Sequence, residues 1–342
     1  GQCFRYPILW LLRTPEMLMQ MTVEYLVVIF TGIVFIFLYN YFAFLLRALG
    51  NSVVPLYFLG VASVLNIGLD LFFVLQLHWG LQGAAWATVI AQAVSGVGLG
   101  IYIWKREPFF RFSMKEFAQG EKPVGEICKY SGMTCMQQSV MNFGILMVQS
   151  LVNSFGPAVM AAFAATVKID TFAYMPAQEF GNAYSIFISQ NHGAGQKERV
   201  REGTRKALGV SAVFCGVVSV LVFVLARYLM LIFVKAQDTQ IIEIGMEYLR
   251  IEGAFYVGIG VLFLLYGYFR GINRPGVSLV LTIISLGTRV LLAYILAAVP
   301  AIGVLGIWWA IPIGWALADV TGIAVMRRDR HRERETRAKK IR

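Results

Sequence analysis

The sequence predicts an all-α integral membrane protein, a two-lobed helical bundle with six plus six helices in the full protein. Three observations carry this. Hydrophobic residues make up 58% of the 342 and charged residues only 14%, more apolar surface than a soluble domain of this length uses. Nine segments are apolar and long enough to cross a bilayer. The chain also repeats itself at an offset of 223: Glu24-Tyr25-Leu26 recurs as Glu247-Tyr248-Leu249, Arg47 as Arg270, Gly80 and Gly83 as Gly303 and Gly306, and Trp86-Ala87 as Trp309-Ala310. Internal repeats in a polytopic membrane protein point to a transporter, and the equal parity of these two points to parallel halves.

In order, the expected spans are 22–46, 56–77, 83–104, 128–155, 159–190, 205–234, 248–269, 277–298 and 305–326. Residues 1–13 read as the last part of another helix, a stub. The expected domains are 1–104, a partial N-terminal lobe; 105–127, an inter-lobe linker; 128–326, the C-terminal lobe; and 327–342, a basic tail. Subtracting 223 from the start of the second half gives a point about 100 residues before Gly1, so three helices are expected to be missing and the fragment is expected not to transport. Basic residues fall in alternate connections: Arg47, then Lys105 to Lys122, Lys197 to Lys206, Arg270 with Arg274, and the tail. The positive-inside rule therefore places these loops and the C-terminus in the cytoplasm. Nine of the 30 basic residues lie in 327–342, a distribution that suits anionic lipid and not nucleic acid.

The stretch from Asn66 to Thr88 carries the sharpest chemistry. Asn66 and Asp70 are four apart and share a helix face. Asp70 lies ten residues before Gly80 and Thr88 eight after it, so both sit roughly 12–15 Å from that turn. An amide, a carboxylate and a hydroxyl then meet at similar depth, all offering the oxygen that protons and hard cations use. An intramembrane carboxylate marks an ion path by default. The plainer reading is an Asp that reaches the interface, with Asn and Thr joining helices.

Gln138, Asn142, Gln149 and Asn153 recur at helical intervals and suit either a polar cavity wall or bonding between helices. Tyr39 and Asn40 are further cavity candidates, since aromatic faces attract cations. Lys168, Asp170 and Glu179 lie in an apolar span with Arg289 as a partner elsewhere, either a network that re-pairs during transport or a static one. Glu252 and Arg250 are expected near an interface, and Asp319 is placed to reach one. Cys3, Cys128, Cys135 and Cys215 have no metal spacing. There is no P-loop and no HExxH, so neither an enzyme nor a cofactor is expected, and no metal beyond Na⁺ at Asp70.

The run Arg47-Ala-Leu-Gly-Asn-Ser52, then Pro55-Leu-Tyr, Leu65-Asn66 with Asp70, and Gly83-Ala-Ala-Trp-Ala-Thr88 resembles the multidrug and toxic compound extrusion (MATE) family. So does Gln190-Asn-His-Gly-Ala-Gly195. The resemblance implies a multi-pass exporter of the bacterial inner membrane, a monomer, that moves amphipathic, often cationic drugs against H⁺ or Na⁺. It also implies a cation site in the N-terminal lobe, onto which Asn66, Asp70 and Thr88 match in type and spacing. The family's first-helix acid cannot be placed, because that helix is expected to lie before Gly1. The acid that some members carry on the seventh helix is missing from Gln137–Asn142. A lipid-linked precursor flippase is the alternative, but its pyrophosphate calls for more intramembrane cations than Lys168 and Arg289. A non-transporting receptor or scaffold does not need the repeat.

Overall fold

The structure, a computed structural model, describes residues 16–107 and 124–341, with side chains for 19–107 and 124–329. The expected stub at 1–13 and most of the expected linker lie outside these residues. The chain divides near residue 121 into two compact units.

The first unit contains α1 (Glu16–Ala48), α2 (Val53–Leu71), which runs on as a π-helical segment Phe72–Gln76, and α3 (Gly80–Arg106). A left-handed pair, His78 (φ 53°) and Gly80 (φ 54°), makes the turn between α2 and α3. α1 and α2 both pack on α3. A Cβ at Gly96 would stand 2.7 Å from the Phe35 carbonyl oxygen, so only glycine allows α1 and α3 to approach this closely.

The second unit contains α4 (Val124–Asn153), α5 (Pro157–Gly193), α6 (Lys197–Leu231), α7 (Thr239–Gly253), α8 (Tyr256–Gly271), α9 (Pro275–Ala297) and α10 (Val304–Ile341). Its core is centred on Trp308, wholly buried, which stacks on Phe163 at 5.7 Å and meets Tyr248 edge-on at 4.8 Å, joining α5, α7 and α10. α5 and α8 approach through Gly181 and Gly267, where a Cβ on Gly267 would lie 2.4 Å from the Gly181 carbonyl oxygen.

The repeat in the sequence is a repeat in space. Gly50 (φ 88°) and Asn273 (φ 61°), 223 apart, make matching turns, closed by Asn51 N–H to Leu46 O at 2.9 Å and Arg274 N–H to Phe269 O at 2.8 Å. Gly80 and Gly303 share a φ within a degree, 54° and 53°. Gly83 seats on Phe73 and Gly306 on Leu296, again 223 apart on both sides.

Among the described residues, seven helices are long and apolar enough to cross a membrane, and the pair α7–α8 makes an eighth. One expectation is corrected. The span drawn at 248–269 is broken: α7 and α8 bend by 51° at Ala254–Phe255. The span drawn at 128–155 is a helix of 30 residues, Val124–Asn153, long enough to cross a bilayer but less apolar than the other spans, with Gln137, Gln138, Asn142, Gln149 and Asn153 along it. The segment drawn as a tail is helical to Ile341, continuous with α10. Phe37, Tyr57, Val64, Phe172 and Val224 are well exposed, as lipid-facing side chains are.

Candidate functional site

Asp70 sits one residue before the end of α2, where the backbone changes to the wider π geometry at Phe72. Single π turns inside helices are frequent at functional sites, and no sequence signal announces this one. Asn66 lies one turn earlier on the same face. Asp70 Oδ1 and Asn66 Nδ2 are shielded from solvent, and neither has a hydrogen-bond partner among the described residues. Thr88, on α3, donates its proton to Ala84 O at 3.0 Å, so it offers Asp70 no donor and keeps only acceptor lone pairs. A shielded carboxylate oxygen without a donor costs on the order of 1–3 kcal/mol. A proton or a small cation relieves that cost. The structure therefore leaves Asn66 and Asp70 open on one face and spends the Thr88 proton within its own helix.

The second unit gathers a different cluster at the break in α7–α8. The Tyr256 hydroxyl, just after the break, donates to Asp170 Oδ1 on α5. Tyr248 and Glu252, just before it, are within hydrogen-bonding reach of Asp170, and Arg289 on α9 supplies the positive charge. Asp170 thus holds both halves of the broken span. Glu252, expected at an interface, is instead 6% exposed. The span break moves it inward, and a break is what a hydrophobicity pattern hides. Asp319 Oδ1 is also shielded and without a described partner, with its other oxygen 3.7 Å from where a Cβ on Gly258 would lie.

The expected group Lys168, Asp170, Glu179 and Arg289 is divided by the fold. Asp170 and Arg289 belong to the cluster above. Lys168 is exposed and lies over the Phe233 ring at 5.7 Å. Glu179 is exposed and accepts from Asn182 at 3.3 Å, and Asn182 accepts from Arg270 at 2.9 Å. Residues two apart on a helix point different ways, and this separates Lys168 from Asp170.

Of the expected cavity residues, Gln138 and Asn142 are exposed along α4, and half-buried Gln149 donates to Asn153 at 2.8 Å. The bond to a neighbouring helix is made by Gln137, to Thr282 at 3.0 Å, which leaves the stripe itself open. Asn40 is exposed and donates to Ile36 O at 2.9 Å. Tyr39 is a correction: it is 7% exposed, with its hydroxyl donating to Pro55 O at 3.1 Å. A large ring beside a proline carbonyl in a well-packed lobe becomes core, not wall.

A repeated bundle of membrane-crossing helices, with shielded acids in both units and an acid pair gathered at the break of α7–α8, defines a multi-pass membrane protein of transporter type. The MatE family model matches residues 1–72 and 133–295, and the chain belongs to that family. It is 34% identical over 278 residues to the "Probable multidrug resistance protein YpnP" of Bacillus subtilis, covering 81% of this chain and 62% of that protein. It is 27% identical to the "Probable multidrug resistance protein YoeA" of the same organism, covering 93% and 70%. The crystal structure of a variant of the Vibrio cholerae MATE transporter VcmN superposes with a TM-score of 0.88 at 21% identity, over 96% of this chain and 74% of that one, and so shares its fold. The chain spans about 62% of the length of YpnP.

Proposed function

We propose that the protein works as a secondary multidrug efflux antiporter of the cytoplasmic membrane, exporting amphipathic, often cationic compounds in exchange for H⁺ or Na⁺ by alternating access. The observation that carries this reading is the shielded Asp70 oxygen, which has no donor and no cation among the described residues. The names of the relatives supply the substrate class, since YpnP and YoeA are named for multidrug resistance. Entry of H⁺ or Na⁺ at Asp70, with Asn66 and Thr88 alongside, removes the cost of an unpaired buried charge. The π segment directly after Asp70 gives the helix a place to change its winding. An ion drives such a change only as far as it binds the two conformations differently. Gln138 and Asn142, exposed on α4, suit contact with a polar part of the exported compound.

The test is dye movement in everted vesicles under an imposed pH or Na⁺ gradient, comparing the product of the whole gene with its Asp70→Asn variant. The reading requires gradient-driven movement that the variant abolishes. Movement that survives in Asp70→Asn rejects Asp70 as the coupling site.

A further inference from the structure

Where α9 begins and the apolar part of α10 ends, the second unit has a groove of about 350 Å³. Val277, Val280 and Val325 form its walls, and Arg274, Arg328 and Asp329 its rim. We propose that this groove binds the phosphodiester end of an anionic membrane phospholipid.

Its position fits that ligand. α9 starts at Pro275, directly after Arg274, and the apolar run of α10 ends at Met326 and gives way to Arg327-Arg328-Asp329, so the rim stands where an apolar stretch meets charged residues, as at the hydrocarbon–headgroup boundary. The walls are apolar on the side that continues along both spans, and Val280 is 51% exposed, as a side chain covered by an acyl chain is when the lipid is removed. The volume equals roughly a dozen waters, which takes a phosphodiester and the first carbons of a chain and leaves the rest of the lipid in the bilayer.

The charges fit as well. Arg274 is ion-paired with Asp329, and Arg328 has no ion pair among the described residues. The rim therefore carries one net positive charge, the complement of one phosphodiester. Guanidinium groups take phosphate oxygens through paired N–H donors, and basic pockets between membrane helices on the cytoplasmic side suit anionic headgroups. A soluble phosphate would use the two arginines but has no use for three valines. This inference is independent of the Asp70 reading, because no residue is shared.

The test is native mass spectrometry of the purified chain with phosphatidylglycerol or phosphatidylcholine. Wild type is expected to retain phosphatidylglycerol in preference, and Arg274→Gln with Arg328→Gln to reduce that preference about tenfold while phosphatidylcholine retention stays the same. Val280→Asn is expected to weaken phosphatidylglycerol retention through the wall alone. Because Arg274 also holds Asp329, Arg328→Gln by itself provides a variant that leaves that ion pair intact, and it must shift the preference in the same direction. Equal retention of the two lipids by wild type overturns the proposal, as does a preference that the arginine variants leave unchanged. Displacement of phosphatidylglycerol by glycerol phosphate at equal concentration overturns it too, by showing a site for the free anion.

Discussion

Unit one leaves Asp70 Oδ1 with no hydrogen-bond partner among the described residues, whereas in unit two the charge of Arg289 acts on Asp170 and Glu252. The two units share a framework, down to the turn at Gly80 and Gly303 and the glycine seats at Gly83 and Gly306. The offset of 223 takes Asn66 to Arg289 and Asp70 to Ala293. At one point of the common scaffold, then, unit one has a neutral amide beside an acid, and unit two has a fixed cation and no adjacent acid. A fixed guanidinium neutralises permanently. A carboxylate beside an amide is neutralised only by what arrives. On the proposed reading the exchangeable charge belongs to unit one, and the acids of unit two whose oxygens also lack a described partner, Glu252 and Asp319, are the ones that reading must exclude.

The largest effect should come from removing the acid that has no partner. Asp70→Asn is expected to bring gradient-driven dye transport to background in everted vesicles, while the protein still inserts and elutes as wild type. Next comes a transplant of one unit's solution into the other. Asn66→Arg places a resident cation one helical turn from Asp70, as Arg289 is placed in unit two. Ion-driven transport should fall as far as in Asp70→Asn, and thermal unfolding in detergent should not drop. Transport that persists in Asn66→Arg would break the comparison, since a fixed cation would then be compatible with exchange.

The reverse change tests unit two. Arg289→Gln removes the positive charge that acts on Asp170 and Glu252 without being ion-paired to either, and leaves two buried acids uncompensated. A clear fall in the unfolding midpoint is expected, partly recovered when Glu252→Gln is added. If Arg289→Gln abolishes transport at unchanged stability, unit two also carries exchangeable charge, and the contrast between the units fails.

Much of this was legible in the sequence, for identifiable reasons. Apolar length and basic loops mark helices directly, and the repeat was visible because Gly80, Gly83, Gly303 and Gly306 are fixed by backbone geometry that no other residue meets as well. Asn66 and Asp70 were legible because four-residue spacing sets a shared face. The burial of Glu252 was not, because it sits at a 51° break and the Asp170 cluster it joins is remote in sequence. Nor was the loss of Tyr39 from any cavity, since nothing local to Tyr39 says that the Pro55 carbonyl will meet its hydroxyl. Lys168, Asp170 and Glu179 looked like a group because they are near in sequence, yet each faces a different neighbour.

The smallest predicted effect separates polar residues that join helices from those left open. Gln137 and Gln138 are adjacent, but Gln137 is buried on Thr282 at 3.0 Å and Gln138 is exposed. An interhelical bond of this kind is worth roughly 0.6 kcal/mol in a membrane protein, so Gln137→Leu should lower the unfolding midpoint slightly and leave the apparent affinity for exported dye unchanged. Gln138→Leu should do the opposite, with stability kept and the dye concentration for half-maximal transport shifted. The two substitutions remove the same amide from the same turn of α4, so a difference between them can come only from what each side chain faces. Equal effects on both readouts would mean that the exposed stripe on α4 is packing surface, and the choice of Gln138 and Asn142 as compound-facing residues would have to be abandoned.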